Sequence, residues 1–161
     1  MRRKRILLAG ILGAALLTGP VFADFIHVPG AAFTGDSAQE RVNRGYYLHP
    51  LDSIGNLYAP VELPHGAIIK NVRIFYRDNH ATGNLVVSLY RRNLYNSDFH
   101  ELFHLETSGT SMTDQVQVDS SVNPAPAYRK VYNNACQYYL QAFFSGYSTS
   151  LKLYGVTIEF E

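Results

Sequence analysis

The chain has 161 residues and carries 14 Lys and Arg against 13 Asp and Glu, a net charge of +1. Four of the basic residues lie between Arg2 and Arg5, so residues 24–161 hold ten basic and thirteen acidic side chains, and a mildly acidic body without long basic runs excludes the electrostatic footprint of a nucleic-acid binder. The single cysteine, Cys136, excludes an internal disulfide, and the length suits one hydrophobic core.

The chain opens with Met1-Arg2-Arg3-Lys4-Arg5, an apolar run from Ile6 to Leu17, and Val21-Phe22-Ala23, which together read as a secretory signal peptide cleaved after Ala23. The run is shorter than the roughly 20 residues of a membrane-spanning helix and is broken by Gly10, Gly13, Gly19 and Pro20. No cysteine stands near the cleavage point to take a lipid. The expectation is an exported protein, periplasmic or extracellular, with no transmembrane segment once residues 1–23 are removed and with one domain over 24–161.

From Asp24 to Phe33 the residues give a short opening strand that Pro29-Gly30 ends or bulges, which suits a sheet edge. Thr34 to Gly45 is polar, lacks a helical apolar stripe and reads as a surface loop; Tyr46 to Pro50 reads as a brief strand closed by Asp52-Ser53-Ile54-Gly55-Asn56. Leu57, Ala59 and Val61 share one strand face, Pro60 removes a ladder donor, and Leu63-Pro64-His65-Gly66 turns the chain into a strand from Ile68 to Tyr76. There Val72, Ile74 and Tyr76 alternate with Arg73, Phe75 and Arg77. After the turn-rich stretch Asp78 to Asn84, Leu85, Val87 and Leu89 alternate again, which is the period of a half-buried strand. Asn93 to Asp98 is a loop, Phe99 to Thr107 has no clear period, and Gln115 to Val118 alternates. Asn123-Pro124-Ala125-Pro126 is a rigid extended connection.

Tyr138, Leu140, Ala142 and Phe144 line one face of the next strand, and Cys136 shares their parity and is expected to point inward. After a turn at Ser145-Gly146-Tyr147-Ser148 the apolar parity runs Leu151, Leu153 and then Val156, Ile158, Phe160. That one-residue phase change at Tyr154-Gly155 predicts a β-bulge. Many strands, no internal repeat and no 3.6-residue period outside residues 1–23 predict an all-β fold, a single β-sandwich of jelly-roll or Greek-key type.

The segments LYAPVELPHGAIIKNVRIFYRDN, GNLVVSLYRR and LYGVTIEF make most of residues 24–161 similar to a recurring, uncharacterised β-sandwich domain of secreted bacterial proteins. The shared pattern is structural: strands, a Leu-Pro-x-Gly-Ala turn and an Asp-Asn loop. The resemblance implies secretion and a sandwich, and it brings no catalytic residue with it.

His100-Glu101-Leu102-Phe103-His104 matches H-E-x-x-H, in which two histidines one helical turn apart hold zinc and the glutamate activates water. The chemistry requires a helix, and Thr107-Ser108-Gly109-Thr110 would stop one almost at once. His27, His49, His65 and His80 stand beside turn residues at no metal-ligand spacing, and neither a G-x-S-x-G elbow nor a phosphate-cradling loop occurs. No catalytic residue, metal or cofactor is therefore expected. Arg73, Phe75 and Arg77 should stand together on the outer face of one strand, with Tyr90 and Arg92 placed likewise on the next and the loop at Asp78-Asn79 beside them. Rings stack on the C–H faces of sugars while guanidinium and amide groups bond the hydroxyls, so these seven residues are the expected ligand platform. The favoured reading is a non-enzymatic exported module that binds a glycan or a cell-surface protein. A structural, self-assembling envelope protein is the second reading and a small zinc metalloprotease using residues 100–104 the third.

Overall fold

The computed structural model describes residues 23–35, 41–43, 45–50, 55–109, 111–119, 126–146 and 149–161. Residues 1–22 of the expected signal peptide, the turn at Asp52-Ser53-Ile54, most of the connection at Asn123-Pro124-Ala125-Pro126 and the turn residues Tyr147-Ser148 lie outside the described residues.

The alternating segments form strands in chain order: β1 (Asp24–Pro29), β2 (Thr34–Gly35), β3 (Arg41–Asn43), β4 (Leu48–Pro50), β5 (Asn56–Val61), β6 (Ile69–Asp78), β7 (Leu85–Asn93), β8 (Phe99–Glu106), β9 (Gln115–Asp119), β10 (Cys136–Phe144) and β11 (Leu151–Phe160). The stretch expected as one surface loop from Thr34 to Gly45 thus contains β2 and β3, strands of two and three residues, too short to show a period. All pairings are antiparallel. One sheet runs β3-β4-β11-β6-β9, with β1 also on β11, and the other runs β2-β5-β10-β7-β8. Leaving aside β1 to β3, the strands from β4 onward fall into two four-stranded sheets, β4-β11-β6-β9 and β5-β10-β7-β8, in which most connections cross from one sheet to the other. That is the jelly-roll order.

Alternation decides what lies between the sheets. Val72, Ile74 and Tyr76 of β6 and Leu153, Val156 and Ile158 of β11 meet Leu85, Val87 and Leu89 of β7 and Leu140, Ala142 and Phe144 of β10, all buried. Each such leucine contributes about 1.5–3 kcal/mol relative to exposure. Cys136, at the start of β10, is buried with them, as its parity predicts. The register of β11 on β6 slips between Leu153 and Gly155, leaving Tyr154 as the extra residue of the expected bulge. A side chain at Gly155 would meet His27 Cε1 at 2.7 Å, so the bulge also admits β1.

One end of the sandwich is tied by a buried polar chain. The Asp78 carboxyl, at the end of β6 in the first sheet, accepts a hydrogen bond from Thr107 Oγ1 at 2.5 Å and one from the His80 amide at 3.1 Å. Thr107 Oγ1 in turn accepts from the Leu85 amide at 2.9 Å, and the Thr107 amide donates to the Leu85 carbonyl at 2.9 Å. Asp78 and Thr107 are 1% and 0% exposed. The chain joins the last residue of β6 to the first of β7 across the sheets, so the connection Asn79–Asn84 is an arch and not a hairpin.

Candidate functional site: an aromatic face of the second sheet

Every second side chain of β5, β10, β7 and β8 leaves the core for the outer face, and the register sets these side chains in ranks across the strands. One rank is Pro60, Tyr139, Tyr90 and Glu101. On one side lie Tyr58, Gln141, Ser88 and His104, and on the other Gln137, Arg92 and Phe99. Rings from four strands make a diagonal row. Centroids step from Tyr58 to Tyr139 by 6.0 Å, from Tyr139 to Tyr90 by 5.4 Å with planes 24° apart, and from Tyr90 to Phe99 by 5.9 Å. The three tyrosines are half-buried and Phe99 is exposed. Burial first, and Tyr58 second, push the Tyr139 phenol up against the opposing pull of Arg92, and burial is likewise the main cause of the raised Tyr90 value. Both therefore remain hydroxyl donors at neutral pH.

Two polar groups flank the row. Alongside it, Thr34, Tyr58, Pro60, Arg92, Gln137 and Tyr139 line an open recess of about 430 Å³. At the other side stands Glu101, whose Oε1 accepts from Ser88 Oγ at 2.5 Å and from Tyr90 OH at 3.2 Å and lies 3.0 Å from His104 Nδ1. Burial pushes the Glu101 carboxyl up, but the bonds to Ser88, His104 and Tyr90 outweigh it and hold it below its ordinary value. Ser88 Oγ is also 3.2 Å from the same His104 Nδ1. A nucleophilic serine needs a histidine with the hydroxyl on one ring nitrogen and the acid on the other. Here serine and acid converge on one nitrogen and the serine proton is given to the carboxylate, so the cluster anchors Glu101 and does not activate Ser88.

The H-E-x-x-H segment is strand β8. Its register against β7 slips between Leu89 and Tyr90, because Leu102 and Phe103 both turn into the core. This bulge puts His100 opposite Arg91 and His104 opposite Ser88, on the two different faces of the strand. His100 stacks on Tyr128 at 4.2 Å while His104 bonds Glu101, so the metalloprotease reading loses the shared helical face on which it depended. Among the described residues no group of three or more His, Cys, Asp or Glu is placed to hold a metal ion.

The single platform expected from the sequence does not form. Arg73, Phe75 and Arg77 do face outward, but from β6 in the first sheet, whereas Tyr90 and Arg92 face outward from β7 in the second. The two sets lie on opposite sides of the sandwich, separated by two sheets that pack about 10 Å apart. Asp78 is withdrawn from any ligand, since its carboxyl is committed inside the arch. Asn79 stays on the first sheet's side, its amide donating to the Ser150 carbonyl at 3.2 Å. On that side both guanidinium groups are occupied. Arg73 pairs with Glu159 at 2.8 Å and lies over the Phe25 ring, and Arg77 pairs with Asp114 at 2.7 Å. Tyr154 donates to the same Asp114 oxygen, and burial together with that carboxylate pushes the phenol up to about 12. Phe75 lines a recess with His27, Tyr46, Asp114, Gln115, Val116 and Tyr154.

Of the expected site residues, the second sheet thus keeps Tyr90 and Arg92 and adds Tyr58, Tyr139 and Phe99. Tyr58 alternates with Leu57 and Ala59, and Tyr139 with Tyr138 and Leu140, so their outward direction was visible in the sequence. Their mutual contact was not, because it depends on which strands pair.

Among the described residues no helix is long and apolar enough to cross a membrane. No protein-family model and no curated protein matches the sequence. Among solved structures, the GH26-CBM35 β-(1,4)-mannanase of Podospora anserina aligns with 85% of this chain at 10% identity and a TM-score of 0.48. A chain in the structure of infectious bursal disease virus Gt strain aligns with 86% at 11% identity and a TM-score of 0.43. This chain spans 28% and 32% of those two chains.

Proposed function

We propose that this chain is an exported, non-enzymatic binding module whose second sheet lays its outer face against a glycan. The observation that carries the reading is the row Tyr58, Tyr139, Tyr90 and Phe99, four rings from four strands held in mutual contact at 5.4–6.0 Å on an outward face. With strands about 4.8 Å apart, a row crossing four of them is about 14 Å long, the reach of two or three sugar rings. Tyrosines suit the task because each offers an apolar body and a hydroxyl tip. Export is supported by the pattern of residues 1–23.

Screening the purified protein on a glycan array identifies the ligand, and Tyr139→Ala and Tyr90→Ala are each expected to weaken binding about tenfold, since an aromatic anchor in a binding face is typically worth more than 1 kcal/mol. Their circular dichroism spectra should match the parent's, because both rings stand outside the core. An array without a binder, or variants that bind as the parent does, would remove the row from function.

A second reading, a self-associating structural protein, is favoured by one observation on the other sheet. Strand β9 pairs with β6 on one side only among the described residues and turns Val116 and Val118 outward, 57% and 51% exposed. An unpaired edge with exposed valines is a template for a further strand. On the binding-module reading, light scattering at micromolar concentration gives the monomer mass; a dimer or larger species that Val116→Lys dissociates would favour assembly instead.

A further inference from the structure

We propose that the glycan bound by the second sheet is anionic, carrying carboxylate or sulfate groups, and that Arg92 is the residue that engages the charge. The proposal rests on the aromatic row being the binding face. It adds the ligand's chemical class.

The four arginines of β6 and β7 are held in different ways. Arg73 and Arg77 are each neutralised by a carboxylate, at 2.8 and 2.7 Å. Arg91, one residue from Arg92, points to the other face of β7, where its guanidinium lies 5.3 Å and 5.6 Å from the ring centres of Tyr128 and Tyr132 and its Nε donates to Cys136 Sγ. Arg92 differs from all three. It is exposed, and among the described residues no carboxylate lies within ion-pair distance of it.

Its surroundings are those of a binding position. Arg92 lines the recess with Thr34, Tyr58, Pro60, Gln137 and Tyr139, a lining that holds two aromatic rings, an amide and a hydroxyl and no acidic side chain. In the register it stands directly opposite Gln137 on one side and Phe99 on the other. Glu101 is engaged by Ser88, Tyr90 and His104 at the far side of Tyr90, and Glu62, exposed just beyond β5 in the adjoining recess with Pro60 and Gln137, forms no ion pair with Arg92. A sugar ring seated on Tyr139 and Tyr58 would therefore present any charged substituent to a planar guanidinium able to form two parallel hydrogen bonds with it. Because residues 24–161 are net acidic, attraction comes from this one short-range contact and not from the field of the whole molecule.

The test uses the purified protein and matched polymers. Immobilised polygalacturonate, polymannuronate and a polyglucuronate are each compared with their carboxyl-reduced neutral counterparts, and a sulfated galactan with its desulfated form. The acidic member of at least one pair should bind roughly tenfold or more tightly than its neutral partner, the scale of a hydrogen bond to a charged group. Arg92→Gln should abolish that difference without moving the melting temperature, and Arg92→Lys should keep part of it. Preference within a uronate pair identifies a carboxylate as the source of the charge, and preference only within the galactan pair identifies a sulfate. Equal binding of charged and neutral members, unchanged in Arg92→Gln but lost in Tyr139→Ala, overturns the anionic assignment and leaves the aromatic face standing as a neutral-glycan site. Absence of binding to every polymer overturns the anionic assignment, and the aromatic face then stands or falls on the glycan array.

Discussion

Asp78→Ala is expected to lower stability by about 2–4 kcal/mol, because it removes the acceptor of a fully buried hydroxyl and of one backbone amide. For a domain of this size that corresponds to a fall of roughly 6–12 °C in melting temperature. Thr107 cannot turn to water, being 0% exposed, and its hydroxyl oxygen must go on accepting from the Leu85 amide. Its proton is then left without a partner in the interior. Asp78→Asn keeps the size and one carbonyl acceptor and should lose about half as much. Thr107→Val leaves one oxygen of the Asp78 carboxyl and the Leu85 amide without their hydroxyl partner, while the other carboxyl oxygen keeps the His80 amide, so it should be about as damaging as Asp78→Ala, and the double variant should fall short of the sum by about 1 kcal/mol or more, the sign of a direct contact. Thermal melts of the four proteins measure this. A melting temperature for Asp78→Ala within a degree of the parent would mean that the carboxyl is solvated, and Asp78 would then return to the candidates for ligand contact.

Gly30→Ala is expected to cost about 3 kcal/mol, the upper part of the range for overpacking, because the obstacle is backbone that cannot rotate away. A methyl group at Gly30 would overlap the Leu153 carbonyl oxygen and approach the Leu48 amide nitrogen to 3.3 Å. This is the point where β1 leaves the flank of β11 and β4 takes its place, with Leu153 paired to Leu48. Displacement there should propagate along β1, which among the described residues pairs with β11 alone, and not into the second sheet. Hydrogen exchange gives a local readout: the β1 amides should lose protection in Gly30→Ala while those of β7 and β10 keep theirs. Protection equal to the parent's throughout would show that β1 does not approach β11 so closely.

Both residues bear on how far the sequence could be read. Asp78 has the parity of Val72, Ile74 and Tyr76, so alternation already pointed it inward, and only its charge placed it in an exposed loop. A buried carboxyl becomes acceptable once a donor is supplied, and the donor, Thr107, lies 29 residues away in sequence. Gly30 was legible as the end of a strand but not as a point of close approach, because the carbonyl it faces belongs to Leu153.

Properties that a strand carries alone were legible before any pairing was known. The inward and outward faces of β6, β7, β10 and β11 follow from a period of two, and the bulge at Tyr154-Gly155 follows from a break in that period, because side chains of an extended chain alternate whatever lies beside it. The tertiary structure alone decided which faces are shared. Asp78 to Asn84 has turn residues that suit a hairpin and an inter-sheet arch equally, and the arch sends Phe75 and Tyr90 to opposite sides of the molecule. The second bulge, at Leu102-Phe103, separates His100 from His104 and brings Glu101 level with Tyr90, although nothing in the apolar pattern of residues 99–107 announces it. The aromatic row joins positions 58, 90, 99 and 139, and such neighbours come together only when strands distant in the chain pair in one register, a choice made by the packing of the whole core.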